Sequence, residues 1–125
     1  MRVLICAGRN YADTRRCRQA LDDVQRQRPI RVLIHGGSQS IGGEIESWAR
    51  EHGADLVRYP PNWQLYGKQA ERLRNLFMLN DSRPDLLLAL PGGDDTEELL
   101  ARARGAEVQV MCARQPRQPE RGDCS

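Results

Sequence analysis

From Val3 to Met111, short apolar runs alternate with amphipathic segments, a pattern of stacked β-α units rather than of a helical bundle or a β-sandwich. Five strands are predicted, at Val3–Ala7, Val32–Ile34, Leu56–Tyr59, Leu86–Leu90 and Val108–Met111. The first, second and fourth are almost continuously apolar, which is expected of strands covered on both faces in a parallel sheet. Cys17, Ala20, Leu21 and Val24 fall at i, i+3, i+4 and i+7, predicting a helix from about Asp13 to Arg28 that Pro29 ends. Ile41, Ile45, Trp48 and Ala49 mark a second helix, with His52 near its negative end and Gly53 in the C′ position. A third is predicted from Lys68 to about Asn80, and a fourth from Asp95 to Arg104, with Leu99, Leu100 and Ala103 as its apolar stripe. The fold class is therefore α/β: a single three-layer α/β/α domain around a mainly parallel five-stranded sheet.

Open parallel sheets bind ligands beyond the carboxyl ends of their strands, so the residues after each strand are the informative ones. Gly8-Arg9-Asn10 follows the first strand, Gly36-Gly37-Ser38 the second and Pro91-Gly92-Gly93-Asp94-Asp95-Thr96 the fourth. Glycine ahead of a helix lets backbone N–H groups approach an anion at the positive helix end. Residues 1–113 form the expected domain, and 114–125, with two prolines and no aliphatic side chain, are expected to be a disordered tail.

The chain of 125 residues has 19 basic and 17 acidic side chains, a balance of +2 that does not suggest a nucleic-acid-coating surface. No apolar run approaches the roughly 20 residues of a membrane span, and the amino terminus reads as a strand rather than a secretory signal. A cytoplasmic address is expected. Cys6, Cys17, Cys112 and Cys124 form no CxxC pair, Cys6 and Cys112 lying in apolar strand-like runs. No metal is expected. With no GxGxxG and no GKS or GKT, neither a dinucleotide fingerprint nor a Walker loop is present, and no cofactor is implied.

Several segments match together: His35-Gly36-Gly37, Trp48-Ala49, Tyr59-Pro60-Pro61-Asn62-Trp63, Gly67-Lys68, Arg74-Asn75, Pro84-Asp85-Leu86 and Pro91-Gly92-Gly93 with Thr96. In order and spacing, from about Arg2 to Met111, the chain resembles the YspA/YpsA-related branch of the SLOG superfamily. That superfamily also contains the Lonely Guy phosphoribohydrolases and the Rossmann-like domain of the DNA-processing protein DprA. The resemblance implies a Rossmann-like sheet of order 3-2-1-4-5 with a pocket for a nucleotide or nucleotide-derived ligand. The matching ligand-binding positions are Gly8, Arg9, Gly36, Gly37, Ser38, Lys68, Arg74, Asn75, Gly92, Gly93, Asp95 and Thr96. Lys68 and Asn75, seven apart, are expected on one helix stripe.

The chain departs from the family pattern in two loops. After the second strand a GGARGAD-like loop becomes Gly36-Gly37-Ser38-Gln39-Ser40-Ile41-Gly42, without the Arg and the Asp. After the fourth, PGGxGT becomes Pro91-Gly92-Gly93-Asp94-Asp95-Thr96, so Asp95 stands where a phosphate-approaching glycine is usual. Its carboxylate is expected to repel a phosphate and to cap the fourth helix. By resemblance to the Lonely Guy enzymes, catalysis would fall to Arg74 with an acidic residue at the position of Leu99. Glu98 lies one residue earlier, about 100° around the helix. Glu97 and His35 are further candidates for acid or base work.

The expected function is a small binding or sensor domain for a nucleotide-derived small molecule. The alternatives are a phosphoribohydrolase-like enzyme using Arg74 and Glu98, and single-stranded nucleic-acid binding in the DprA manner with bases on Trp63 or Tyr66, which the small net charge disfavours. Leu73, Leu76, Phe77, Met78 and Leu79 spread around more of the third helix than one sheet face covers, so a homodimer or larger assembly is expected.

Overall fold

The computed structural model describes residues 1–8, 10–37 and 41–113. Its strands are β1 (Arg2–Cys6), β2 (Val32–His35), β3 (Asp55–Arg58), β4 (Leu86–Ala89) and β5 (Gln109–Cys112). They form one all-parallel sheet of order β3-β2-β1-β4-β5, as in a Rossmann-like fold. The helices are α1 (Thr14–Gln27), α2 (Gly42–His52), α3 (Trp63–Tyr66), α4 (Ala70–Ser82) and α5 (Asp94–Gly105), with a 3₁₀ turn at Gly67–Gln69.

Alternation along the strands divides the core in two. Val3, Ile5, Leu33, Leu86 and Leu88 pack with Cys17, Leu21, Val24, Ile45 and Trp48 of α1 and α2. Leu4, Ile34, Leu87 and Ala89 pack with Met78, Leu79, Leu99, Leu100 and Ala103 of α4 and α5, and Cys6 and Cys112 lie against this second cluster. Full burial of each large aliphatic side chain contributes about 1.5–3 kcal/mol, so the central strands β1 and β4 anchor both layers. The one fully buried tryptophan, Trp48, keeps its indole N–H satisfied by donating to Asp22 Oδ1 at 2.8 Å.

The caps follow the sequence at α1 and α2. Asp13 accepts from the Arg16 N–H at 3.0 Å to start α1, and Gly53 ends α2 in the left-handed conformation (φ 68°). Two starts differ from expectation. Lys68 belongs to the 3₁₀ turn, and α4 begins only at Ala70, so Lys68 and Asn75 share no α-helical stripe. The fourth predicted helix begins at Asp94 with Gly93 at its N-cap and no side-chain cap, so Asp95 sits in the first turn and does not cap it.

Of the five apolar residues expected to overrun one face of α4, Met78 and Leu79 are buried, Leu73 and Leu76 half-buried, and Phe77 60% exposed. Among the described residues no helix is long and apolar enough to cross a membrane.

Candidate functional site

The carboxyl ends of β1 and β2 and the segment after β3 open onto a cavity of about 660 Å³, walled by Cys6 to Gly8, His35 to Gly37, Pro60, Pro61, Trp63, Glu71, Arg74, Asn75 and Met78. A second cavity of about 350 Å³ lies between α4 and the start of α5. Ala7, Gly8, Glu71, Arg74 and Asn75 line both, so they form a shared wall.

Arg74 sits at that wall with its side chain only 13% exposed. Its Nη1 donates to Gly36 O at 2.5 Å and to Tyr59 O at 3.2 Å, and its Nε donates to Asn75 Oδ1 at 2.8 Å. The guanidinium therefore ties the turn after β2 to the segment after β3. Three of its five donors go to these bonds; among the described residues Nη2 makes only an ionic contact, 3.9 Å from Glu71 Oε2. Burial pulls the Arg74 guanidinium below its ordinary value, with Glu71 opposing, and it stays charged at physiological pH. Gly36 is needed here because a Cβ would fall inside van der Waals contact of Arg74 Nη1 and Cζ.

His35, 1% exposed, closes β2. The Gly37 N–H donates to its Nδ1 at 3.0 Å, which leaves the ring proton on Nε2. Nε2 lies 3.3 Å from Glu46 Oε2 without hydrogen-bond alignment, and Arg58 Nη1 is 3.6 Å from the same oxygen. Burial lowers the imidazole below its ordinary 6.5, outweighing the opposing pull of Glu46. Cys6 in the cavity wall is pushed up to about 12 by burial, so its thiol is not ionised at neutral pH.

At the β1 and β4 ends the turns touch backbone to backbone. The Gly8 N–H donates to Pro91 O at 2.9 Å, and a Cβ on Gly8 would lie 2.9 Å from Gly92 Cα. A Cβ on Gly92 would collide with the Thr96 side chain. Close packing of two loops thus accounts for these two glycines, independently of any ligand.

The structure brings Gly8, Gly36, Gly37, Arg74, Asn75, Gly93, Asp95 and Thr96 to the two cavities, and Gly92 to the Gly8 contact beside them. Lys68, exposed in its 3₁₀ turn, lines neither. Arg9 and Ser38 fall outside the described residues, as do residues 114–125. Arg74 and Glu98 are not brought together. Glu98 is engaged by Arg72, at 2.8 Å from Nε and 3.1 Å from Nη2, and lines neither cavity. Glu71 is the acidic side chain that sequence reading missed. Its signal was available: it lies three residues before Arg74, on the same helical face.

A family model described as YAcAr, the YspA, cpYpsA-related SLOG family, matches residues 1–66, just over half of the 125. The match runs from β1 through α3, while Arg74, Asn75 and the start of α5 lie beyond it. Comparison with curated proteins gives no significant match. The matched half carries the turns after β1 and β2 that open onto the larger cavity, and on this basis the chain belongs to the YspA, cpYpsA-related SLOG family.

Proposed function

We propose that this chain is a binding or sensor domain that holds a nucleotide-derived small molecule across the carboxyl ends of β1, β2 and β4. Family membership supports a nucleotide-related binding or processing role. The observation that carries the finer reading is the shared wall. There Arg74 is held rigidly by Gly36 O, Tyr59 O and Asn75 Oδ1, while among the described residues its Nη2 donates no hydrogen bond, which supports a donor role toward a ligand. A preorganised donor loses little entropy on binding, which favours recognition. Trp63, Pro60, Pro61 and Met78 give the larger cavity an apolar side suited to a nucleobase.

Cleavage through Arg74 and Glu98 has weaker support, because the Glu98 carboxylate is committed to Arg72. Mass spectrometry of gently purified protein, followed by calorimetric titration with nucleosides and nucleotides, tests the proposal. The expected result is a nucleobase-containing ligand that binds without being consumed. Turnover of that ligand would favour the enzyme reading, and absence of binding to every nucleoside and nucleotide would refute the proposal.

A further inference from the structure

We infer that the smaller cavity is a subsite for the unphosphorylated sugar of a nucleoside and selects against a phosphate there. The inference rests on the binding role proposed above and adds the chemical class of the ligand.

Charge at the subsite is the first argument. Among the described residues, Asp94 and Asp95 at the start of α5 line the smaller cavity, together with Arg74 and Glu71, which lie 3.9 Å apart. The α5 amino terminus has no capping side chain at Gly93, so its first-turn N–H groups would ordinarily attract an anion. Asp94 and Asp95 stand in that same first turn and oppose the positive end of the helix. An incoming phosphate therefore meets fixed negative charge where an unopposed helix start would welcome it.

Hydrogen-bonding capacity is the second and independent argument. Asn75 and Thr96 are only 8% and 5% exposed, and both line the smaller cavity. Asn75 uses Oδ1 to accept from Arg74, and among the described residues its Nδ2 and the Thr96 Oγ1 make no hydrogen bond. Neither atom is a buried atom left without a partner, so both reach the cavity space, where the groups of a ligand can pair them. A ribose matches the whole set. Its hydroxyls donate to the Asp94 and Asp95 carboxylates, accept from Asn75 Nδ2, and do either with Thr96 Oγ1. A phosphate accepts from Asn75 but has nothing to donate to the carboxylates. With the sugar seated here, the shared wall falls at the base–sugar junction and the base enters the larger cavity.

The test is calorimetric titration of the full chain with the common ribonucleosides, their 2′-deoxy analogues and their 5′-monophosphates, at low and high salt. The best ribonucleoside is expected to bind about tenfold or more tighter than its 5′-monophosphate at low salt, the gap narrowing as salt screens the carboxylates. The 2′-deoxy analogue is expected to lose roughly tenfold, because it leaves polar groups of the site unpaired. In the Asp94→Asn/Asp95→Asn variant, which alters exposed side chains only, the monophosphate penalty is expected to shrink to about threefold or less. A monophosphate that binds wild type as tightly as its nucleoside overturns the subsite while leaving the binding role intact. An unchanged penalty in the double variant likewise overturns it. Failure of every nucleoside and nucleotide to bind removes the binding role itself.

Discussion

Replacing Arg74 by Ala tests the bracket across the cleft without requiring a known ligand. The substitution removes donors to Gly36 O, Tyr59 O and Asn75 Oδ1 at 2.5, 3.2 and 2.8 Å. A hydrogen bond from a charged donor contributes about 1.5–3 kcal/mol net. The three do not add in full. The Tyr59 bond sits at the long end of the useful range, Asn75 is the adjacent residue, and water in the cleft replaces part of what is lost. About 2–3 kcal/mol of stability is therefore expected to go, out of roughly 5–15 kcal/mol for a domain of this kind. In thermal unfolding that corresponds to a drop in Tm of about 6–15 °C, with the protein still folded at room temperature. Arg72→Ala on the same helix is the control. It removes a pair with Glu98 whose side chains are 40% and 29% exposed, and is expected to cost no more than about 1 kcal/mol. Arg74→Lys should recover part of the loss, since an ammonium reaches one carbonyl but lacks the fork. If Arg74→Ala and Arg72→Ala destabilise equally, Arg74 does not hold the turn and the segment after β3 together.

Gly36→Ala drives a methyl group into the Arg74 guanidinium, so it should lower stability by about 1–3 kcal/mol and weaken ligand binding together; a variant with wild-type Tm and affinity would contradict the close approach. Burial of neutral His35 makes stability complete above pH 6.5 and erodes it as pH falls from 6.5 toward the lower folded-state value, because the unfolded chain binds the proton first. Urea unfolding across that window should show a shallower pH slope in His35→Asn than in wild type, and equal slopes would exclude His35 as the source. For self-association, Phe77 and Leu65, 60% and 67% exposed, are the apolar side chains to test. Light scattering at micromolar concentration should give a dimeric or larger mass that falls in Phe77→Ser, whereas a monomeric wild type would refute the expectation.

Most of the scaffold was legible because its signals are local. The β1 and β4 runs are apolar on both faces since α1 and α2 cover one side and α4 and α5 the other. Asp13 and Gly53 marked helix ends by their own chemistry. The start of α4 was misplaced because the positive-φ Gly67 (φ 53°) and a 3₁₀ turn interrupt a stretch whose composition alone permits a helix. The short α3 was missed, although Asn62 caps it by accepting from the Leu65 N–H at 3.0 Å, because four residues show no periodicity. At the cleft, the convergence of the Gly8, Gly36 and Gly93 turns followed from strand-end logic. Which partner each charged side chain takes did not, because it is settled by tertiary approach. Arg74 spends three donors on acceptors within the protein, and Arg72, two residues away, captures Glu98.

Mapping a bound nucleoside by amide chemical shifts on nitrogen-15-labelled protein tests the central claim most directly. The account predicts that the perturbed signals are those of Gly8, Gly36, Gly37, Asp95 and the Asn75 side-chain amide, all in the cavity walls at the carboxyl end of the sheet. Perturbations confined to the opposite end, around Met1, Arg31 and Asp85, or to the neighbourhoods of the exposed Leu65 and Phe77, would contradict it.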